Sequence, residues 1–137
     1  MNPDFVIYAD HACLDREWIV QAIRAEYWGA WMNATQINRA IDRSLCFGIY
    51  KRGVVPYQVG FARVVTDGAA FSSVTDVVIR EAWRGKGLGS LLMQAIVIHP
   101  DVRDTICILG TRNADRFFQR FGFLRNRPIM QRDPNPI

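Results

Sequence analysis

The chain has 137 residues, half of them hydrophobic and 22% charged, with a formal net charge of +4 and a pI near 9.3. That length suits one domain with a real core, and no apolar stretch approaches the ~20 residues that a membrane span requires. The arginines are scattered rather than blocked, which argues against a nucleic-acid partner and leaves a polyanionic cofactor or plain solvation as their use.

At the start, "MNPDFVIYADHA" has no basic segment, and its apolar run is too short for a secretion signal. Cys13, Cys46 and Cys107 form no C-x-x-C pair, so free thiols in a reducing cytoplasm are expected. Residues 4–8, "DFVIY", read as a first strand. Asp15 is a good N-cap for "REWIVQAIRAEY", which spaces Ile19, Ala22, Ile23 and Glu26 as one helical stripe. Asn33 and Gln36 form a capping pair for a second helix with Ile37, Ala40 and Ile41 inward. Strands follow at 44–51 and 57–65, joined through "RGVVP". Asp67-Gly68 is a hairpin turn leading into a long central strand, 69–79, of a length that often carries a bulge.

After a glycine stretch, Leu88, Leu91, Leu92, Ala95 and Ile96 mark a half-buried helix ending near His99-Pro100. "TICIL" (105–109) is a fifth strand. Thr111 can cap a helix with Ala114, Phe117, Phe118 and Phe121 on one face, stopped by Gly122. "FGFLR" and "PIMQR" could supply closing edge strands, and 132–137 read as a frayed tail. The order β-α-α-β-β-β-α-β-α-β, without repeat or linker, predicts a mixed α/β single domain over 1–137.

The stretch "WRGKGLGS" (83–90) sits at the turn between the central strand and a helix, where glycines let backbone N–H groups approach phosphate. It is not a P-loop: Lys86 lies between glycines, and no Gly-Lys-Ser/Thr follows at the required gap. It is not a Rossmann fingerprint either. The third glycine falls one place early, and the next strand ends in Leu109-Gly110 without a carboxylate. The remaining template is R/Q-x-x-G-x-G/A, which Arg84, Gly87 and Gly89 match.

Here the sequence resembles the GNAT superfamily of N-acetyltransferases. "DVVIREAWRGKGLGSLLM" (76–93) is similar to the family's strand, loop and helix that bind acetyl-coenzyme A. "ADRFFQRFGF" (114–123) is similar to the later motif A-x-x-x-Y-x-x-x-G-F, at the usual separation. With the element order, the likeness covers roughly residues 5–125. It implies that Arg84, Gly85, Lys86, Gly87, Leu88, Gly89 and Ser90 hold the pyrophosphate through backbone N–H groups. It also implies that Val77, Val78 and Ile79 pair through their main chain with the pantetheine arm, and that Val77 N–H polarises the thioester carbonyl. Thr111 and Phe118 occupy family positions on the cofactor side. No metal is implied.

One departure concerns catalysis. Many members protonate the leaving thiolate with the tyrosine of A-x-x-x-Y, and Phe118 stands there. The asparagine often found three residues before the alanine is Thr111, and Asn113 lies in a different register. General-acid help is worth ~10²–10⁴-fold, so its loss need not end turnover. Asp76, just before the cofactor-pairing stretch, is a candidate base and equally a bulge-satisfying aspartate. His99, at a helix end before Pro100, fits a dipole partner better than a catalyst. Tyr27, Trp28 and Trp31 in "YWGAW" border the acceptor cleft in this fold. They can bind an ammonium by cation–π contact, supply the Tyr27 phenol, or simply pack. The resemblance therefore implies transfer of acetyl from acetyl-coenzyme A to a primary amine, of a small molecule before a protein, with homodimerisation compatible. The alternative is a non-catalytic acyl-coenzyme A-binding or regulatory protein.

Overall fold

In the computed structural model, which describes residues 3–134, five strands form one sheet in the order β1-β2-β3-β4-β5. These are β1 (Phe5–Tyr8), β2 (Leu45–Lys51), β3 (Tyr57–Thr66), β4 (Phe71–Ile79) and β5 (Ile106–Leu109). The first four pair antiparallel, and β5 runs parallel to β4. The helices are α1 (Arg16–Arg24), α2 (Ala34–Asp42), α3 (Leu88–Ile98) and α4 (Asp115–Gln119). The first two lie on one face of the sheet and α3 on the other.

Local signals place the starts of α1 and α2 as expected, whereas α4 begins at Asp115 with Ala114 as its N-cap, and Thr111, expected as the cap, accepts from Ala114 N–H in the turn before it. Asp15 accepts from Trp18 N–H at 3.1 Å, and Asn33 and Gln36 cap reciprocally at 2.8 and 2.9 Å. The first helix is shorter than its stripe suggests. It stops at Arg24, and residues 25–32 fold as tight turns, with Glu26 N–H bonded to Ile23 carbonyl at 3.1 Å. Asp67 organises the β3–β4 turn by accepting from the N–H groups of Ala69, Ala70 and Phe71. Those bonds, Ala70's foremost, hold its carboxyl below the usual value.

The expected closing strands do not form. Among the described residues nothing after Gln119 is helix or strand, so the final β of the predicted order is absent and β5 is an edge strand. Residues 135–137 of the expected tail lie outside the described residues. The physical reason is local. Arg125 grips Asp115 and donates to Thr111 carbonyl at 2.7 Å, which turns the chain back over the start of α4 instead of along β5. An apolar groove lined by Ile106, Leu109, Phe118, Phe121 and Ile129 runs along that free edge.

Two apolar clusters flank the sheet. Ile19, Ile23, Ile37 and Ile41 bury against Cys46, Phe61 and Val78, whereas Leu88, Leu92, Met93 and Ile96 bury against Phe47, Ile49, Val59, Val64 and Val74. Val74 and Val78 would share a face in a regular strand. They lie on opposite faces because β4 carries an extra residue: Phe61 pairs with Val78 but Arg63 with Thr75. The bulge sits at Asp76, whose φ of 54° is positive.

Burial also sorts the thiols. Cys13 is exposed and Cys46 buried, and burial pushes the Cys46 thiol up to about 11. Because only thiolate attacks disulfide reagents, native protein at pH 8 should release one fast equivalent from Cys13. Cys46 should react only on unfolding. Equal rates for all three thiols in native protein would overturn this assignment.

Candidate active site

The site begins where two strands part. The parallel ladder runs from Phe71↔Ile106 to Val74↔Leu109 and ends there. β4 continues to Ile79, so from Thr75 onward its edge away from β3 has no strand partner among the described residues. A parted pair of parallel strands exposes main-chain N–H and C=O groups to whatever enters, and an extended chain is the natural occupant. Val77 and Ile79 pack toward the α3 side and Val78 toward α1 and α2.

The glycine loop lies directly beyond this edge. A short 3-10 turn, Glu81–Trp83, is anchored by Trp83 standing edge-on to Phe5 at 5.8 Å. Arg84 Nε then donates to Ile79 carbonyl at 3.1 Å, tying the loop to the last residue of β4. Gly85 and Gly87 have φ of 77° and 78°, and a Cβ built on either would meet nothing within 4 Å. These residues are glycine for backbone conformation and face open space. Gly89 has a different job, since its Cβ would lie 3.4 Å from Phe117 Cζ. It lets α4 close against the start of α3.

The first helical bond of α3 is Leu91 N–H to Gly87 carbonyl, 3.2 Å. Among the described residues, none of the N–H groups from 85 to 90 meets a protein acceptor. Unpaired helix-start donors with an open face fit an anion. Lys86 is exposed beside them, and Arg120 reaches Ser90 Oγ at 3.3 Å, adding a guanidinium at the same mouth. Arg120 went unread in the sequence because nothing local links it to residue 90. These residues fit a pyrophosphate, and the β4 edge fits the pantetheine that extends from it.

Asp76 does not open onto this cleft as a free carboxylate. Its side chain is 4% exposed and accepts from Arg63 Nε at 2.7 Å, while Arg63 Nη1 donates to Ser44 Oγ at 3.1 Å. Arg63 was legible only as a lone charge inside the apolar run "VGFARVV", a pattern that demands a buried partner. Thr111 Oγ1 accepts from Ala114 N–H at 3.1 Å, ordering the turn into α4. Phe118 packs edge-on against Phe117 at 5.0 Å and faces Phe123 at 6.2 Å, so its place holds a ring and no hydroxyl. His99 closes α3, where Nδ1 accepts from Asp101 N–H at 3.1 Å, well clear of the glycine loop in sequence and in packing. Tyr27 is exposed and carries the Arg112 guanidinium over its ring at 3.6 Å.

No helix of the described residues is long and apolar enough to cross a membrane, and no metal-binding group of acidic, His or Cys side chains occurs among them. The GNAT acetyltransferase domain model matches residues 42–125, which contain the bulge, the parted strands, the glycine loop and α4. A crystal structure of a candidate GNAT-family acetyltransferase from Xanthomonas campestris pv. campestris is 32% identical, with TM-score 0.86 over 98% of this chain and 96% of its own. A curated relative from Gibberella zeae, named as a candidate acetyltransferase, is 29% identical over 68% of this chain; the chain spans 62% of that protein's length. A GNAT acetyltransferase from Elizabethkingia anophelis, solved with acetyl-CoA bound, shares the fold at TM-score 0.66 and 11% identity over 90% of this chain and 78% of its own. The phosphate-competent loop, the strand edge beside it and these likenesses converge: the chain belongs to the GNAT family of acetyltransferases.

Proposed function

We propose that the chain transfers an acetyl group from acetyl-coenzyme A to a primary amine, with a small molecule as acceptor. The observation that carries this reading is the run of unpaired N–H groups from 85 to 90, set against an unpaired β4 edge. When bound, the cofactor supplies an activated acetyl thioester. The chain's own residues then divide the work. Backbone at 84–90, with Lys86 and Arg120, holds the pyrophosphate; Val77, Val78 and Ile79 align the arm along β4; Thr111 orders the loop that borders the cleft. Gly89 and the Phe117–Phe118 pair set how closely α4 approaches that arm.

In this reading Asp76 acts as a positioning residue. Its carboxylate neutralises Arg63 and holds the bulge that turns Val77 toward the cofactor side. Tyr27 belongs to the acceptor wall. With Phe118 at the usual tyrosine position, this chain supplies no phenol there, and the proton needed by a departing thiolate would come from solvent. That substitution is also the specific observation favouring a second reading, an acyl-coenzyme A binder without turnover.

A thiol-release assay with acetyl-coenzyme A separates the two. Primary amines and amino-terminal peptides are offered in parallel, with coenzyme A binding measured alongside. Amine-dependent release, stronger with small amines, is the expected result. Tight binding with no amine-dependent release would overturn transfer in favour of the binder, and absence of binding would overturn both.

A further inference from the structure

The Arg112–Tyr27 contact joins two segments that the β4–β5 gap separates. Arg112 lies three residues past Leu109, the last residue of β5, in the loop that borders the parted strands. Tyr27 comes from the turns after α1. Ile19 and Ile23 of that helix pack against Val78, so the end of α1 overlies the portion of β4 beyond its last pairing with β5. The guanidinium sits 3.6 Å from the Tyr27 ring centroid. The stack therefore lies on the α1 and α2 side of the parted strands, opposite the glycine loop, and the transfer reading brings the acceptor in from that side.

Both partners are held in place. Residues 25–32 are pinned to the end of α1 by Glu26 N–H to Ile23 carbonyl and by Gly29 and Ala30 N–H to Glu26 carbonyl, each at 3.1 Å. Gly29 is so close that a Cβ there would stand 2.1 Å from Ile23 carbonyl oxygen. On the other side, Thr111 and Arg125 fix the loop through Ala114 N–H and Thr111 carbonyl.

Arg112 is also a cation without an anion. Five arginines, Arg16, Arg63, Arg80, Arg103 and Arg125, each meet a carboxylate, and Arg112 belongs to the remainder that do not. Among the described residues Arg112 meets no carboxylate, and its guanidinium lies over the Tyr27 face. Stacking fixes the plane of a guanidinium while leaving its edge N–H groups free. That edge matches a carboxylate or phosphate through two parallel hydrogen bonds. Arg80 also lies over aromatic rings, but its Nη2 already meets Asp15, and Arg120, near the Phe117 and Phe121 rings, is turned to Ser90 Oγ on the glycine-loop side.

We infer that Arg112, held on Tyr27, is the anchor for an anionic group on the acceptor, so that the substrate class is a small amine that also bears a carboxylate or phosphate monoester. This rests on the transfer reading above and adds the acceptor's second functional group.

The test uses matched pairs of acceptors in the thiol-release assay. A series of ω-amino acids is compared with alkylamines of equal length, and a series of aminoalkyl phosphates with the corresponding amino alcohols. The kcat/KM ratio of anionic to neutral member should exceed one by about 10- to 100-fold in at least one series. In Arg112→Ala that ratio should collapse toward one. Arg112→Lys should keep part of it, since the charge remains without the planar fork. The series with the larger ratio identifies carboxylate or phosphate as the recognised group. Ratios near one in the native chain, or a ratio unchanged in Arg112→Ala, would overturn the anchor while leaving transfer standing. If no amine turns over, the same pairs are titrated into coenzyme A-loaded protein by calorimetry. Selective binding of the anionic members, lost in Arg112→Ala, would sustain the anchor, and its absence would overturn it.

Discussion

Arg63→Met is expected to destabilise the fold by about 3–5 kcal/mol, the cost of leaving a buried carboxylate without its partner. For a chain of this size that is a fall in Tm of roughly 10–20 °C. The reasoning starts from exposure: the Asp76 side chain is 4% exposed and Arg63 14%, with Nε 2.7 Å from the carboxylate. Once the guanidinium is gone, the one remaining side-chain contact of Asp76 is the Thr75 hydroxyl, at 3.4 Å. Methionine fills a similar volume, so the loss is electrostatic rather than a cavity. Adding Asp76→Asn to Arg63→Met should recover part of the stability, because the carboxamide is neutral and asparagine tolerates the positive φ of 54° at that position. Asp76→Ala should be worse than Asp76→Asn by about 1–2 kcal/mol, since alanine has no compensation in the left-handed region. Denaturant unfolding of the four variants decides the matter. A change under 1 kcal/mol in Arg63→Met would show that the pair does not hold the bulge.

The same series separates positioning from base catalysis. If Asp76 positions the β4 edge, turnover in Asp76→Asn should follow the loss of fold stability and coenzyme A affinity together. A base would instead lose kcat with affinity and stability near their native values, and would do so with a changed pH profile.

What the sequence disclosed, and what it did not, divides along the range of the interactions. The Asn33–Gln36 capping pair, the Asp67-Gly68 turn and the glycine loop are each decided within a few residues, so they could be read directly. The bulge could be anticipated from the length of the 69–79 run, and Asp76 was a candidate to satisfy it, but its partner Arg63 thirteen residues away could not be read. Apolar content in "FGFLR" and "PIMQR" suggested strands, but a strand needs a partner edge, and Arg125 spends the chain's reach on Asp115 and Thr111. The helix predicted through Tyr27 was cut at Arg24 by turns that no stripe reveals. For the candidate site, the conformation of the glycine loop was legible because it is set by main chain and glycine within a few residues. Tyr27 could be singled out from "YWGAW", but its partner could not, because Arg112 lies far along the chain from it.

Gly87→Val is expected to weaken coenzyme A binding by more than tenfold while α3 stays folded. Gly87 caps α3 in the left-handed region, with φ 78°. A non-glycine residue there pays about 1–2 kcal/mol, and a β-branched one is stiffer still. The backbone can relieve that cost by rotating out of the left-handed region, which moves the N–H groups of 86–89 off a common focus. Nothing of the protein lies within 4 Å of the added Cβ, so the substitution meets no clash that would break the core. The valine branches instead project into the open face onto which those donors look. Meanwhile Leu88, Leu92, Met93 and Ile96 remain buried and keep the helix seated. Gly89→Ala supplies the contrast. Its Cβ would touch Phe117 at 3.4 Å, a contact that alters how α4 packs without bending the loop. Calorimetric titration with coenzyme A, paired with thermal unfolding, should therefore show Gly87→Val losing affinity more than stability and Gly89→Ala losing stability more than affinity. Native-like affinity in Gly87→Val would remove the loop from cofactor binding, and with it the observation on which the transfer reading stands.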